Sequence, residues 1–304
     1  MSRKVLAVIV CLVTTVLIAA PVWAAEPSAK TATTEGEAQG ESLSEINKKL
    51  TNPVSELWSI TFQQNNYMLD MGAGKESHWN SNLNFQPVMP VALTKDWNLI
   101  TRPVITVFNS VPHPELFDPT EIERTTGFGD TILLEMVSPS PNLVGNWLLG
   151  LGPTFIFPTA SSKWTGQGKW QAGPGALVGY LSHKWILGAF VQQWSSFAGS
   201  DGRKDTNQMN LQPVAAYFLP DGWSIGYSGN VLANWKATAA GDTWTIPLGL
   251  ALSKVQKFGR LPVKLSLAGQ YMVHHPDVGG QKYNIQLLVA PVLPKLIKGT
   301  LFGE

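Results

Sequence analysis

The chain reads as an all-β protein, a transmembrane antiparallel up-and-down β-barrel of about 12 strands. Three observations predict this. Hydrophobicity alternates with period two from about Leu57 onward, the connections alternate between short and long, and charges are scarce along the alternating runs. Of 304 residues, 44% are hydrophobic and only 14% are charged, against about 25% charged in an ordinary soluble domain. The formal net charge of +1 offers no basic face for a nucleic acid.

In chain order, the first element is an export signal over residues 1–24. Arg3 and Lys4 precede the apolar run Val5–Ala20, and Val22-Trp23-Ala24 suits cleavage after Ala24. The run is short for a spanning helix and polar residues follow it at once. Cys11, the sole cysteine, lies inside it behind Val10, which does not suit lipoprotein processing. No disulfide is then available, so a core or a membrane must stabilise the exported chain. Residues 25–50 form a polar linker with a possible short helix, in which Leu43, Ile46 and Leu50 share one side and Asn52-Pro53 stops it. The helix is read as a lead-in or a plug, with a solvated spacer preferred.

The barrel occupies residues 51–294, and 295–304 form a C-terminal tail. Its strands fall near 57–69, 79–94, 97–109, 127–138, 143–157, 170–182, 184–197, 207–219, 222–236, 243–255, 260–274 and 282–293. The parity is plain at Trp147, Leu149, Leu151, Pro153, Phe155 and Phe157, which oppose Gly150, Gly152 and Thr154. It recurs at Trp244, Ile246, Leu248, Leu250 and Leu252, which oppose Thr245, Pro247, Gly249, Ala251 and Ser253. Turns near Lys95-Asp96, Ser138–Asn142, Ser182-His183, Pro220–Gly222 and Lys257–Gly259 are short, whereas the other connections are long. Trp97, Trp147, Trp185 and Trp223 each follow a short turn and form an aromatic girdle at one rim. Prolines inside the runs (among them Pro87, Pro103, Pro153 and Pro174) are awkward for paired strands.

A secreted β-sandwich would put Lys, Glu and Asp on its outward face. Here the polar face holds Ser, Gly, Asn and Gln, which suits the lining of a lumen. The expected lumen-lining residues are Gln86, Arg102, Glu135, Gln192, Gln212, Asn230, Lys264 and Gln270. Arg102 is assigned inward because an Arg in lipid costs about 2–4 kcal/mol at mid-depth, and Glu135 on the neighbouring strand is placed to pair with it. That pair either tunes selectivity at a constriction or acts as an internal strut, and the strut is preferred.

No catalytic residue, metal site or cofactor is expected. The five histidines fall in loops, loop edges or a turn, and His274-His275-x-Asp277 lacks the spacing of a metal site. Ser266 and His274 share inward parity, which is a poor arrangement for a lipid-acting hydrolase.

The chain resembles the neuromedin-U-like outer-membrane barrels, relatives of the family named for the MetA pathway of phenol degradation. The resemblance rests on Asn84-x-Gln86-Pro87-Val88, Trp97-Asn-Leu-Ile-Thr-Arg102, Gly127-Phe-Gly-Asp130, Pro158-Thr159-Ala160, Gly168-Lys169-Trp170 and Asp221-Gly222-Trp223. It implies an outer-membrane channel or transporter-like barrel without catalytic motifs. One departure is the ending Phe302-Gly303-Glu304, since many such barrels finish on an aromatic residue. The expected function is passive passage of small weakly polar or hydrophobic solutes. A non-conducting structural or adhesive barrel and a lipid-modifying barrel enzyme are the alternatives. Outer-membrane lipid, a small-molecule solute and the outer-membrane assembly machinery are the expected partners.

Overall fold

The computed structural model describes residues 42–115 and 121–302. The expected export signal and most of the polar linker lie outside the described residues. Helix α1 (Leu43–Thr51) leads into strands β1 (Trp58–Met71), β2 (His78–Ala92), β3 (Trp97–Pro114), β4 (Ile122–Phe128) and β5 (Thr131–Pro139). A helical turn, α2 (Pro141–Val144), leads to β6 (Trp147–Phe157), β7 (Lys169–Leu181), β8 (Trp185–Gly199) and β9 (Asn207–Phe218). Strands β10 (Trp223–Tyr227), β11 (Val231–Asn234), β12 (Trp244–Phe258), β13 (Leu261–His274) and β14 (Val278–Leu293) complete the chain.

These segments make a closed antiparallel barrel of twelve staves. Strands β4 and β5 form one stave broken at Gly129-Asp130, and β10 and β11 form another broken at Ser228–Asn230. Every stave pairs with its neighbours in sequence, and β14 closes the ring on β1 from Trp58↔Leu293 to Met71↔Val278. Closure pairs the body of the barrel all the way round, while β4 pairs only with β3.

Alternation sorts the side chains onto two surfaces. Outward on β12 stand Leu248, Leu250 and Leu252, all strongly exposed, with Pro247, Ser253 and Val255 buried on the inward side. Likewise β6 turns Trp147 and Leu151 outward and buries Leu148, Thr154 and Ile156. A barrel whose leucines face out and whose amides face in is inverted relative to a water-soluble core.

The in-strand prolines have a physical account. A proline nitrogen has no hydrogen to donate, and the ladders are interrupted where prolines sit. Pairing of β2 with β3 runs to Phe85↔Ile105 and resumes at Met89↔Thr101, skipping Pro87 and Pro103. Between β5 and β6 it skips from Leu134↔Thr154 to Val137↔Leu151, past Pro153, and between β7 and β8 from Ala172↔Ser195 to Gly175↔Gln192, past Pro174.

Helix α1 is not a solvated spacer. Ile46 is buried between the inward side chains Val255 and Val292, with Leu43, Leu50 and Leu57 packed around them. Asn47, fully buried, donates from Nδ2 to the Gly222 carbonyl at 2.9 Å and to Ser224 Oγ at 3.0 Å. The helix therefore sits inside the barrel at the short-turn end. Its start is capped by Ser42 Oγ, which accepts from the Glu45 backbone N–H at 3.2 Å. Lys48 and Lys49 occupy its last turn, where positive charge suits the helix dipole.

Candidate functional site

The interior divides into a filled part and an open part. Inward residues of β3 and β5–β9, namely Ile100, Leu134, Met136, Leu148, Leu177, Ile186, Phe190, Val214 and Phe218, pack into one apolar cluster. Glycines on the inward face make room for it, since a Cβ on Gly150 would lie 2.2 Å from Met136 Sδ. Beside this cluster Thr154 Oγ1 accepts from Gln192 Nε2 at 2.8 Å and from Trp194 Nε1 at 3.1 Å.

At the long-loop end, residues 158–168 fold inward against the break between β4 and β5. Asp130 holds them by accepting from the backbone N–H of Ala160 at 3.2 Å and of Gln167 at 2.6 Å. Gln171 and Gln208 both donate to Gln167 Oε1, at 2.6 Å and 2.9 Å. Arg203 donates to the carbonyls of Gln167 and Lys163 at 3.0 Å and 3.1 Å, and to that of Gly166. Nearby, Lys169 Nζ lies 3.0 Å from Asp205, and this hydrogen bond holds the Asp205 carboxyl below its ordinary range.

The open part is a cavity of about 500 Å³ that extends from Leu50 and Thr51 of α1 to Tyr67, Leu232 and Gln281 toward the other end. Its wall is dominated by amides and hydroxyls. A chain of hydrogen bonds runs around it from β3 to β13. Arg102 Nη2 donates to Gln86 Oε1 (2.5 Å), Gln86 to Gln63 (3.2 Å), and Gln63 to Asn65 (3.1 Å). Asn284 donates to Asn65 (3.5 Å) and to Gln270 (3.2 Å), and Gln270 donates to Gln286 (3.0 Å) and Ser228 (2.8 Å). Lys264 Nζ donates to Thr51 Oγ1 at 2.6 Å, at the C-terminal end of α1.

Seven of the eight residues expected at the lumen line this cavity: Gln86, Arg102, Gln192, Gln212, Asn230, Lys264 and Gln270. Glu135 does not. Arg102 pairs with Leu134 in the ladder, so Glu135 pairs with Thr101 one residue away and takes the opposite face. There it accepts a hydrogen bond from Thr101 Oγ1 at 2.7 Å on the parity of exposed Val137. A one-residue step reverses the face of a strand side chain, and the expected Arg102–Glu135 pair does not form. Trp97, Trp147, Trp185 and Trp223 are each the first residue of their strand and are exposed on the outer surface at the short-turn rim.

Several lining residues escaped the sequence reading. Asn82 continues the parity of Gln86, and Asn65 on β1 and Asn284 and Gln286 on β14 follow the same alternation on strands where no inward residue was named. Thr51 lines the cavity from the helix, and nothing in strand periodicity points to it. Among the described residues no group of His, Cys, Asp and Glu is arranged to hold a metal ion.

No family model matches the chain, and no curated protein sequence matches it. Its fold is similar to that in the crystal structure of an outer membrane channel from Pseudomonas putida F1, with a TM-score of 0.55 and 15% identity, covering 78% of this chain and 96% of that one. Weaker likenesses are to the transport unit of the autotransporter AIDA-I from Escherichia coli (TM-score 0.43, 11% identity, 82% and 96% covered) and to a Pseudomonas aeruginosa FadL homologue (TM-score 0.33, 10% identity, 79% and 91% covered). The likeness to the Pseudomonas putida channel is one of fold.

Proposed function

We propose that the protein is an outer-membrane channel for passive passage of small, weakly polar solutes. The observation that carries this reading is the amide-lined cavity of about 500 Å³ inside a barrel whose outer face is leucine-rich. Amides and hydroxyls replace part of the hydration of a neutral solute without holding it tightly, which favours transit over capture. The exposed Trp97, Trp147, Trp185 and Trp223 would stand at the membrane boundary, where indole buries its ring and keeps its N–H hydrated. Motif resemblance to the neuromedin-U-like barrels, and the likeness in fold to the Pseudomonas putida channel, support the same class.

The mouth at the short-turn end is occupied by α1, so conduction is controlled there. A non-conducting structural barrel is the second reading, favoured by the apolar cluster that fills the β5–β9 side. Liposome swelling with a graded panel of neutral solutes separates the two, run on the intact protein and on a variant lacking residues 43–51. The channel reading expects size-dependent swelling that accelerates when the helix is removed. Impermeable vesicles in both cases would establish the structural barrel instead.

A further inference from the structure

We propose that the lumen is an anion site, built to take a small monocarboxylate at Arg102. This rests on the channel reading and adds an anionic solute to the weakly polar ones it passes. Among the described residues that line the cavity there are two cations, Arg102 and Lys264, and no aspartate or glutamate. The expected counter-charge, Glu135, faces the other side of the wall. Arg102 contacts only the neutral Gln86 amide, and its Nε is buried without a protein partner. Lys264 contacts only the Thr51 hydroxyl.

A buried charge without a counter-ion is unfavourable, and the interior strengthens its attraction for an anion. The N–H groups of a guanidinium beyond its single bond to Gln86 are strong donors to carboxylate oxygens. Lys264, on β13 beside the helix-closed end, adds a second positive charge to the same bore. Rings or pairs of Arg and Lys are how pores favour anions.

Arg102 offers a single positive charge, and the wall around it is otherwise dominated by neutral amides and hydroxyls, which suits a small monocarboxylate better than a polyvalent phosphate.

The test uses lactate as the probe and lactamide as its neutral counterpart. Planar bilayers holding the full-length protein are bathed in a potassium lactate gradient, and the sign of the reversal potential is read. Lactate is expected to be the more permeant ion, and R102Q/K264Q to lose that preference. Potassium-selective or unselective current in the unsubstituted protein, or an unchanged preference in the double variant, overturns the proposal. R102K keeps the charge in place and is expected to retain the sign. If it loses selectivity as fully as R102Q/K264Q while still showing the heat-modifiable migration of a folded barrel, charge is not the cause and the proposal fails.

Saturation-transfer NMR of lactate with the protein in micelles needs no conduction. There R102Q is expected to lose about tenfold in affinity, the fold-change that one charge-assisted hydrogen bond carries. Binding of lactamide equal to that of lactate would overturn the site. A silent bilayer with intact, Arg102-dependent lactate binding would refute the channel and leave the anion site standing.

Discussion

Thr154 shows how much of the interior depends on single polar atoms. It is fully buried, receives two donors, and passes its own proton to the Leu133 carbonyl at 3.2 Å. Valine has the same shape but leaves Gln192 and Trp194 unsatisfied, each at about 1–3 kcal/mol. Thr154→Val is therefore expected to lower the urea midpoint measured by tryptophan fluorescence, while Thr154→Ser keeps most of it. Asp205 gives the pH counterpart. Its carboxyl is held low by Lys169, so the contact persists above the ordinary carboxylate range and is lost only as pH falls through the lowered value. Hydrogen exchange in residues 200–206 should thus stay protected at weakly acidic pH, and Asp205→Asn should abolish the dependence. At this scale the sequence was legible wherever parity ruled, as at Gln86 and Gln270. It misled at Glu135, because chemistry suggested a partner for Arg102 and the ladder register, which decides the face, is not written in composition.

The twelve staves follow the periodic runs closely, with the two broken staves at Gly129-Asp130 and Ser228–Asn230 as the main departures. Helix α1 was visible as an amphipathic stretch, yet its burial was not, since its partners Val255, Val292 and Gly222 lie some 170 residues or more away in sequence. Short polar-flanked helices are marginal alone and take their stability from packing. Asn47→Leu removes both hydrogen bonds to the β10 end and leaves the Gly222 carbonyl unpaired, a loss of about 1–3 kcal/mol. The expected outcome is protease cleavage within residues 43–51 under conditions where the unsubstituted helix resists, with the strands remaining intact.

For the molecule as a whole, the decisive quantity is the medium that the outer leucines meet. Burying a leucine side chain gains about 1.5–3 kcal/mol, and β12 alone exposes Leu248 and Leu250 over more than half of their surface and Leu252 over nearly half. Water would leave that gain unrealised on every stave; hydrocarbon realises it. Leu250→Arg should accordingly destabilise the folded barrel in bilayers by about 2–4 kcal/mol, whereas an arginine at a water-facing site stays within about 0.5 kcal/mol. The alternation made this surface readable from sequence, because period two together with so few charges has few other physical solutions.

The most direct measurement is a nitroxide scan over residues 248–253 of β12 in reconstituted bilayers, comparing accessibility to oxygen, which concentrates in hydrocarbon, with accessibility to a water-soluble nickel chelate. Oxygen accessibility is expected to peak at 248, 250 and 252 and to fall at 249, 251 and 253. Nickel accessibility equal to or above that of oxygen at 248, 250 and 252 would contradict a membrane-spanning barrel.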